Sequence, residues 1–73
     1  MNSYKVVYEV YDWSDSADAF VEVRYSTVIH ADSVEAMYHN FEYETAHTAE
    51  EIIEVVELDD LLSPVRVIYK LSE

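Results

Sequence analysis

The stretch from Asp32 to Asp60 constrains this chain more than any other. It holds ten carboxylates, Asp32, Glu35, Glu42, Glu44, Glu50, Glu51, Glu54, Glu57, Asp59 and Asp60, and no Lys or Arg. A block of like charge without apolar periodicity repels itself into disorder. Here apolar residues run through the block at regular spacing, so it must fold. Folding then holds many carboxylates close together, at a cost in stability from self-repulsion. A folded acidic surface is the feature that any function has to use.

The spacing of the apolar residues defines the elements. Asp32 is followed three residues later by Glu35, the acidic relative of a capping box. Val34, Met37, Tyr38 and Phe41 then recur at i, i+3, i+4 and i+7, which predicts one amphipathic helix from about Ser33 to Glu44. Glu35 and Glu42 share one flank of its apolar stripe. The next segment, Glu51 to Leu58, fits two templates. Thr48 and Glu51 suit a second capping box, whereas Ile52, Ile53, Val55 and Val56 are β-branched and favour a strand. The strand is the preferred reading. Tyr4 to Tyr11 alternates, with Tyr4, Val6, Tyr8 and Val10 on one face. Phe20 to Ile29 alternates too, with Val21, Val23, Tyr25, Thr27 and Ile29 facing one way and Glu22, Arg24 and Ser26 the other. These two strands should form an antiparallel hairpin across the polar turn from Asp12 to Asp18. Val65 to Leu71 is the last strand, with Val65, Val67, Tyr69 and Leu71 alternating against Arg66, Ile68 and Lys70. It should pair with Glu51 to Leu58 across the turn from Asp59 to Pro64. The expected architecture is α+β, a β-β-α-β-β order with a small antiparallel sheet and one helix packed across it, in a single domain over residues 1–73.

Composition bounds the chemistry. A chain of 73 residues has little stability to spare, yet its hydrophobic fraction of 51% suffices for a packed core. It has no Cys, hence no disulfide and no thiolate metal site, which fits a reducing cytosol. It has no Gly, so turns are expected to use Asp, Asn, Ser and Pro64, and glycine-based phosphate loops are excluded. No segment approaches a membrane span, and no apolar signal segment follows Lys5. The formal charge is −12, from sixteen acids against four bases, Lys5, Arg24, Arg66 and Lys70, all in predicted strands. That exceeds the magnitude of about 2–8 that solubility asks of a small domain. Such a surface repels nucleic acid and anionic membranes and attracts basic proteins and cations.

The candidate sites for chemistry are sparse. Asp12, Asp15 and Asp18, with Ser14 and Ser16, suggest a calcium loop. Counting from Asp12, however, the positions that need Gly and Glu hold Ala17 and Val23, so a solvated turn is the better reading. His30, His39 and His47 include no i, i+4 pair and no thiol joins them, so they read as surface or helix-end residues. The serines lie outside any nucleophile elbow, and an acid pair such as Asp59 and Asp60 does not by itself imply glycosidase chemistry. No catalytic residue, metal or cofactor is expected. Tyr4, Tyr8, Tyr25, Tyr38 and Tyr69 read as core. Tyr11, Trp13 and Tyr43 fall off the apolar faces, where they cap the core edge or serve a binding interface.

A very acidic, Cys-free domain of this size, with strands around one capped helix, resembles the small phage-encoded anti-CRISPR proteins. It is closest in style to those that mimic DNA and block type I effector complexes, with the type I-C complex as the implied target. The resemblance covers size, charge and element order across the whole chain, with no signature motif. It implies an inhibitor acting in the bacterial cytoplasm on the basic DNA-binding surface of an effector subunit, where it blocks recognition of the PAM, the short DNA motif beside the target. Carboxylates on a rigid frame can occupy channels whose Lys and Arg otherwise contact phosphates. The expected partner-binding residues are Glu35, Glu42, Glu44, Glu50, Glu51, Glu54, Glu57, Asp59 and Asp60, with Asp12, Asp15 and Asp18 if the hairpin turn lies nearby. Along a strand, Glu51, Glu57 and Asp59 would share one parity. Direct binding to nucleic acid is not expected. Two other classes share the electrostatics: an acidic protein-binding module, such as an antitoxin or phage assembly factor, and an acidic structural or cation-binding protein.

Overall fold

Alternation of β-branched and aromatic residues carries the first two strands past their expected ends. In the computed structural model, which describes residues 1–72, β1 is Asn2–Ser14 and β2 is Ala19–Ala31. They pair antiparallel through an unbroken register from Asn2↔Ala31 to Ser14↔Ala19. The turn between them is therefore shorter than Asp12 to Asp18. The helix α1 follows at Val34–Thr45, then a single 3₁₀ turn at Ala49–Glu51, β3 at Ile52–Leu58 and β4 at Pro64–Lys70. The sheet order is β2-β1-β3-β4, all neighbours antiparallel. This is the expected α+β fold, with β1 and β3 as the inner strands.

One face of the sheet carries the core. Tyr4, Val6, Tyr8 and Val10 of β1 and Ile29 of β2 are buried there with Ile52 and Val55 of β3. Met37 and Phe41 of α1 pack onto them with no exposed surface, and Val34 and Tyr38 are half-buried beside them. Phe41 meets Tyr8 edge-on with ring centroids 5.0 Å apart. The four-residue stripe read from the sequence is the stripe that packs.

Helix capping differs in detail. Ser33, not Asp32, is the N-cap, and its Oγ accepts a hydrogen bond from Ala36 N at 3.1 Å. The two templates for Glu51 to Leu58 are both realised, in succession. Thr48 N donates to Glu51 Oε1 at 3.2 Å over the 3₁₀ turn, and the strand begins at the next residue.

The last strand departs further from expectation. Register breaks between Val55 and Val56 and between Glu57 and Leu58 of β3 interrupt its alternation. Each break inserts an unpaired residue and turns the following side chains over. Val65, Val67, Tyr69 and Leu71 are consequently exposed, while Ile68, assigned outward from alternation, packs against the core.

A chain without glycine still needs left-handed backbone. Asp18 supplies it at φ 52°, as expected for Asp, but Ala46 (φ 60°) and Leu62 (φ 62°) also adopt it, beyond the Asp, Asn, Ser and Pro64 expected of turns. A Cβ in this region costs about 1–2 kcal/mol. Ala46 tolerates it because its N–H closes the helix on Glu42 O at 3.1 Å. Ala46→Gly should therefore stabilise the fold by about 1 kcal/mol, after allowance for the greater freedom of the unfolded chain. A raised thermal midpoint checks this; an unchanged or lowered one would show that the position carries no strain.

Candidate functional site

Strand parity sorts the charge. The face of the sheet opposite α1 is covered by no element among the described residues. The registers put Lys5, Arg24 and Lys70 on it, together with Glu9, Glu22 and Glu54. The three bases and three acids balance. Glu9 pairs with Arg24 at 3.5 Å. Between them lies a shallow concavity of about 620 Å³, floored by Val7 and Ile53 and rimmed by Glu9, Arg24, Glu54 and Lys70. The remaining base, Arg66, is tied to Glu57 by a 2.8 Å bond from its Nε. The net charge of −12 thus lies wholly off the open face.

Of the twelve carboxylates expected to bind a partner, only Glu54 sits on the open face. The others fall into three zones. Glu35, Glu42 and Glu44 are exposed on α1, and Glu50 and Glu51 follow in the 3₁₀ turn. Glu57 ends β3 beside the turn that holds Asp59 and Asp60. Asp12, Asp15 and Asp18 lie at the far tip of the β1–β2 hairpin. The single-parity row of Glu51, Glu57 and Asp59 does not form. Glu51 is in the 3₁₀ turn, Asp59 is in the β3–β4 turn, and a bulge opposite Val7 and Tyr8 breaks the strand between them.

Half of these carboxylates are committed to the fold. Glu42 Oε2 accepts from Ala49 N at 2.9 Å, and Glu51 Oε1 lies 3.6 Å from His47 Nδ1. Asp59 Oδ1 accepts from Leu61 N and Ser63 N, both at 2.9 Å, and so builds its own turn. Asp15 accepts from Trp13 Nε1 at 2.9 Å. Asp12 accepts from the Tyr25 hydroxyl, which holds that phenol above its ordinary pKa. Glu57 holds Arg66. Asp18, Glu35, Glu44, Glu50, Glu54 and Asp60 have no such partner among the described residues and keep their full acceptor capacity.

The strand lengths add a feature the charge pattern did not signal. β3 pairs with β1 only as far as Tyr8, so residues 9–14 and 19–24 project as a two-stranded arm. This arm accounts for the 42 × 23 × 22 Å shape. Its open-face side carries Tyr11, Trp13 and Phe20, which are 70%, 53% and 67% exposed. Trp13 and Phe20 meet edge-on with centroids 5.4 Å apart, and the Asp15 carboxylate fixes the indole. Alternation within Tyr4 to Tyr11 placed Tyr11 on this face, but Phe20 was read only as the start of a strand. Tyr43 is also exposed, on the outer side of α1.

Three histidines and sixteen acids give no group of three or more placed to hold a metal ion among the described residues. No helix there is long and apolar enough to cross a membrane. Comparison with family models, with curated proteins and with solved structures finds no match.

Proposed function

We propose that this chain is an inhibitor of the anti-CRISPR kind, whose acidic surface takes the place of DNA on a basic protein. The observation that carries the reading is the segregation of charge: one sheet face is electrically balanced, and the whole excess of −12 lies on the helix, the turns and the arm tip. Acidity serving only solubility has no need of that division. A carboxylate set displayed from α1, the 3₁₀ turn and the β3–β4 turn offers Lys and Arg side chains the charge-assisted bonds that phosphates otherwise give them. Following the resemblance in size, charge and element order, the target is the PAM-reading surface of a type I effector complex in the bacterial cytoplasm.

Partner association should then be electrostatically steered. Its rate should fall at least about tenfold between roughly 0.05 and 0.5 M salt, as the field of the acidic surface is screened. Stopped-flow or biosensor kinetics with the purified effector complex measures this. A rate that stays flat across that range would rule out steering by the −12 surface. The chain itself should show no affinity for duplex DNA, since both are polyanions.

The exposed Tyr11, Trp13 and Phe20 favour a second reading, an acidic protein-binding module such as an antitoxin or phage assembly factor. Its partner would bind at the arm without competing with DNA. Competition with target duplex separates the two.

A further inference from the structure

The two edges of the sheet are built differently. β4 carries the devices that discourage edge pairing: Pro64 at its start, Arg66 and Lys70 along it, and two register breaks against β3. β2 carries almost none. Its register against β1 runs unbroken from Ala19 to Ala31, with no Pro, no Lys and a single base, Arg24.

The free backbone groups of β2 can be identified. Asn40 Nδ2 donates to His30 O at 3.0 Å, so that carbonyl points away from β1. In an antiparallel pair, residues with both backbone groups turned outward alternate with residues bonded inward. Phe20, Glu22, Arg24, Ser26 and Val28 therefore face outward with His30. The far side of the sheet gives the same parity: Leu71 N donates to Ile53 O at 2.9 Å, which turns the odd positions of β3 toward β4 and leaves the even positions of β1 for β2. Only the last outward position, His30, is capped, by the helix side chain.

We infer that this edge pairs with the same edge of a second copy, antiparallel about a two-fold axis at Val23. Charge selects the register. Centring on Glu22 or on Arg24 would set identical charges opposite one another. Centring on Val23 sets Glu22 against the second copy's Arg24, twice by symmetry, on the open face. On the other face it sets Val23 against Val23 and Val21 against Tyr25. Arg24 keeps reach for this contact, its side chain being 60% exposed beside Glu9. The paired segment covers residues 19–27 and ends before the capped carbonyl of His30. The product is a continuous sheet of two four-stranded halves, with both helices on one side. This inference does not depend on which partner the acidic surface binds.

Sedimentation velocity of the full chain over a concentration series up to about 1 mM, at about 0.15 M salt, tests it; this salt screens remote charges more than contact pairs. The parent protein should sediment as a concentration-dependent dimer. Arg24→Glu places like charges opposite Glu22 and should weaken the dimer at least about tenfold. The exchange Glu22→Arg with Arg24→Glu should restore it. Ser26→Pro removes an outward N–H without touching the β1 ladder and should give a monomer with an unchanged circular dichroism spectrum. A parent that stays monomeric throughout overturns the inference. So does a folded Arg24→Glu or Ser26→Pro variant that dimerises as the parent does.

Discussion

Phe41→Ala should remove most of the stability of this domain. Phe41 has no exposed surface and lies edge-on against Tyr8, at the centre of the only helix–sheet contact in the core. Truncating a buried Phe costs about 3–5 kcal/mol, from lost transfer energy and the cavity left behind. A chain of 73 residues has roughly 4–11 kcal/mol in total, at about 0.05–0.15 kcal/mol per residue. The loss is therefore a large share of the whole. His39→Ala, on the exposed side of the same helix, should stay within about 0.5 kcal/mol and serves as the control. Thermal melts of the two variants decide it. A Phe41→Ala protein melting with the parent would mean that α1 does not pack through this face.

How far the sequence disclosed the fold depends on the range of the interactions that set each element. The stripe Val34, Met37, Tyr38 and Phe41 is a local period, and the helix forms on it. The alternation of β1 is equally local, and the buried Tyr4, Val6, Tyr8 and Val10 follow from it. β4 was misread because its two register breaks arise from pairing with β3, which no period in Val65 to Leu71 records. The same limit applies to charge. Lys5 and Arg24 show their face by parity within unbroken strands, but Lys70 reaches that face only through the broken register of β4. The commitment of Asp59 to its own turn is a familiar local bond, whereas that of Glu42 to Ala49 needs the chain to turn back after Ala46. The projecting arm follows from β3 being shorter than β1, a difference between segments far apart in sequence.

Reversing the uncommitted carboxylates should abolish partner binding while leaving the fold in place. Glu35, Glu44, Glu50 and Asp60 are exposed and hold no hydrogen bond or ion pair among the described residues. Each reversal alone should matter little, since exposed pairs contribute about 0–1 kcal/mol. All four changed to Lys set like charge against the partner's bases at several points, at several kcal/mol in sum, and should weaken binding at least about 100-fold. Glu42, Glu57 and Asp59 are better left intact, because their reversal would break bonds within the fold and confuse loss of binding with loss of structure. Circular dichroism should show the fourfold variant folded.

The central proposal is that the acidic surface and DNA contend for one site on an RNA-guided effector complex. It is tested most directly by competition with a labelled PAM-containing target duplex, with the order of addition varied. Parent protein added first should prevent duplex binding. Added to the preformed DNA complex, it should act slowly or not at all, and the fourfold Lys variant should fail in either order. If protein and duplex occupy the complex together without interference, or if the folded variant blocks the duplex as well as the parent does, the acidic surface does not stand in for DNA.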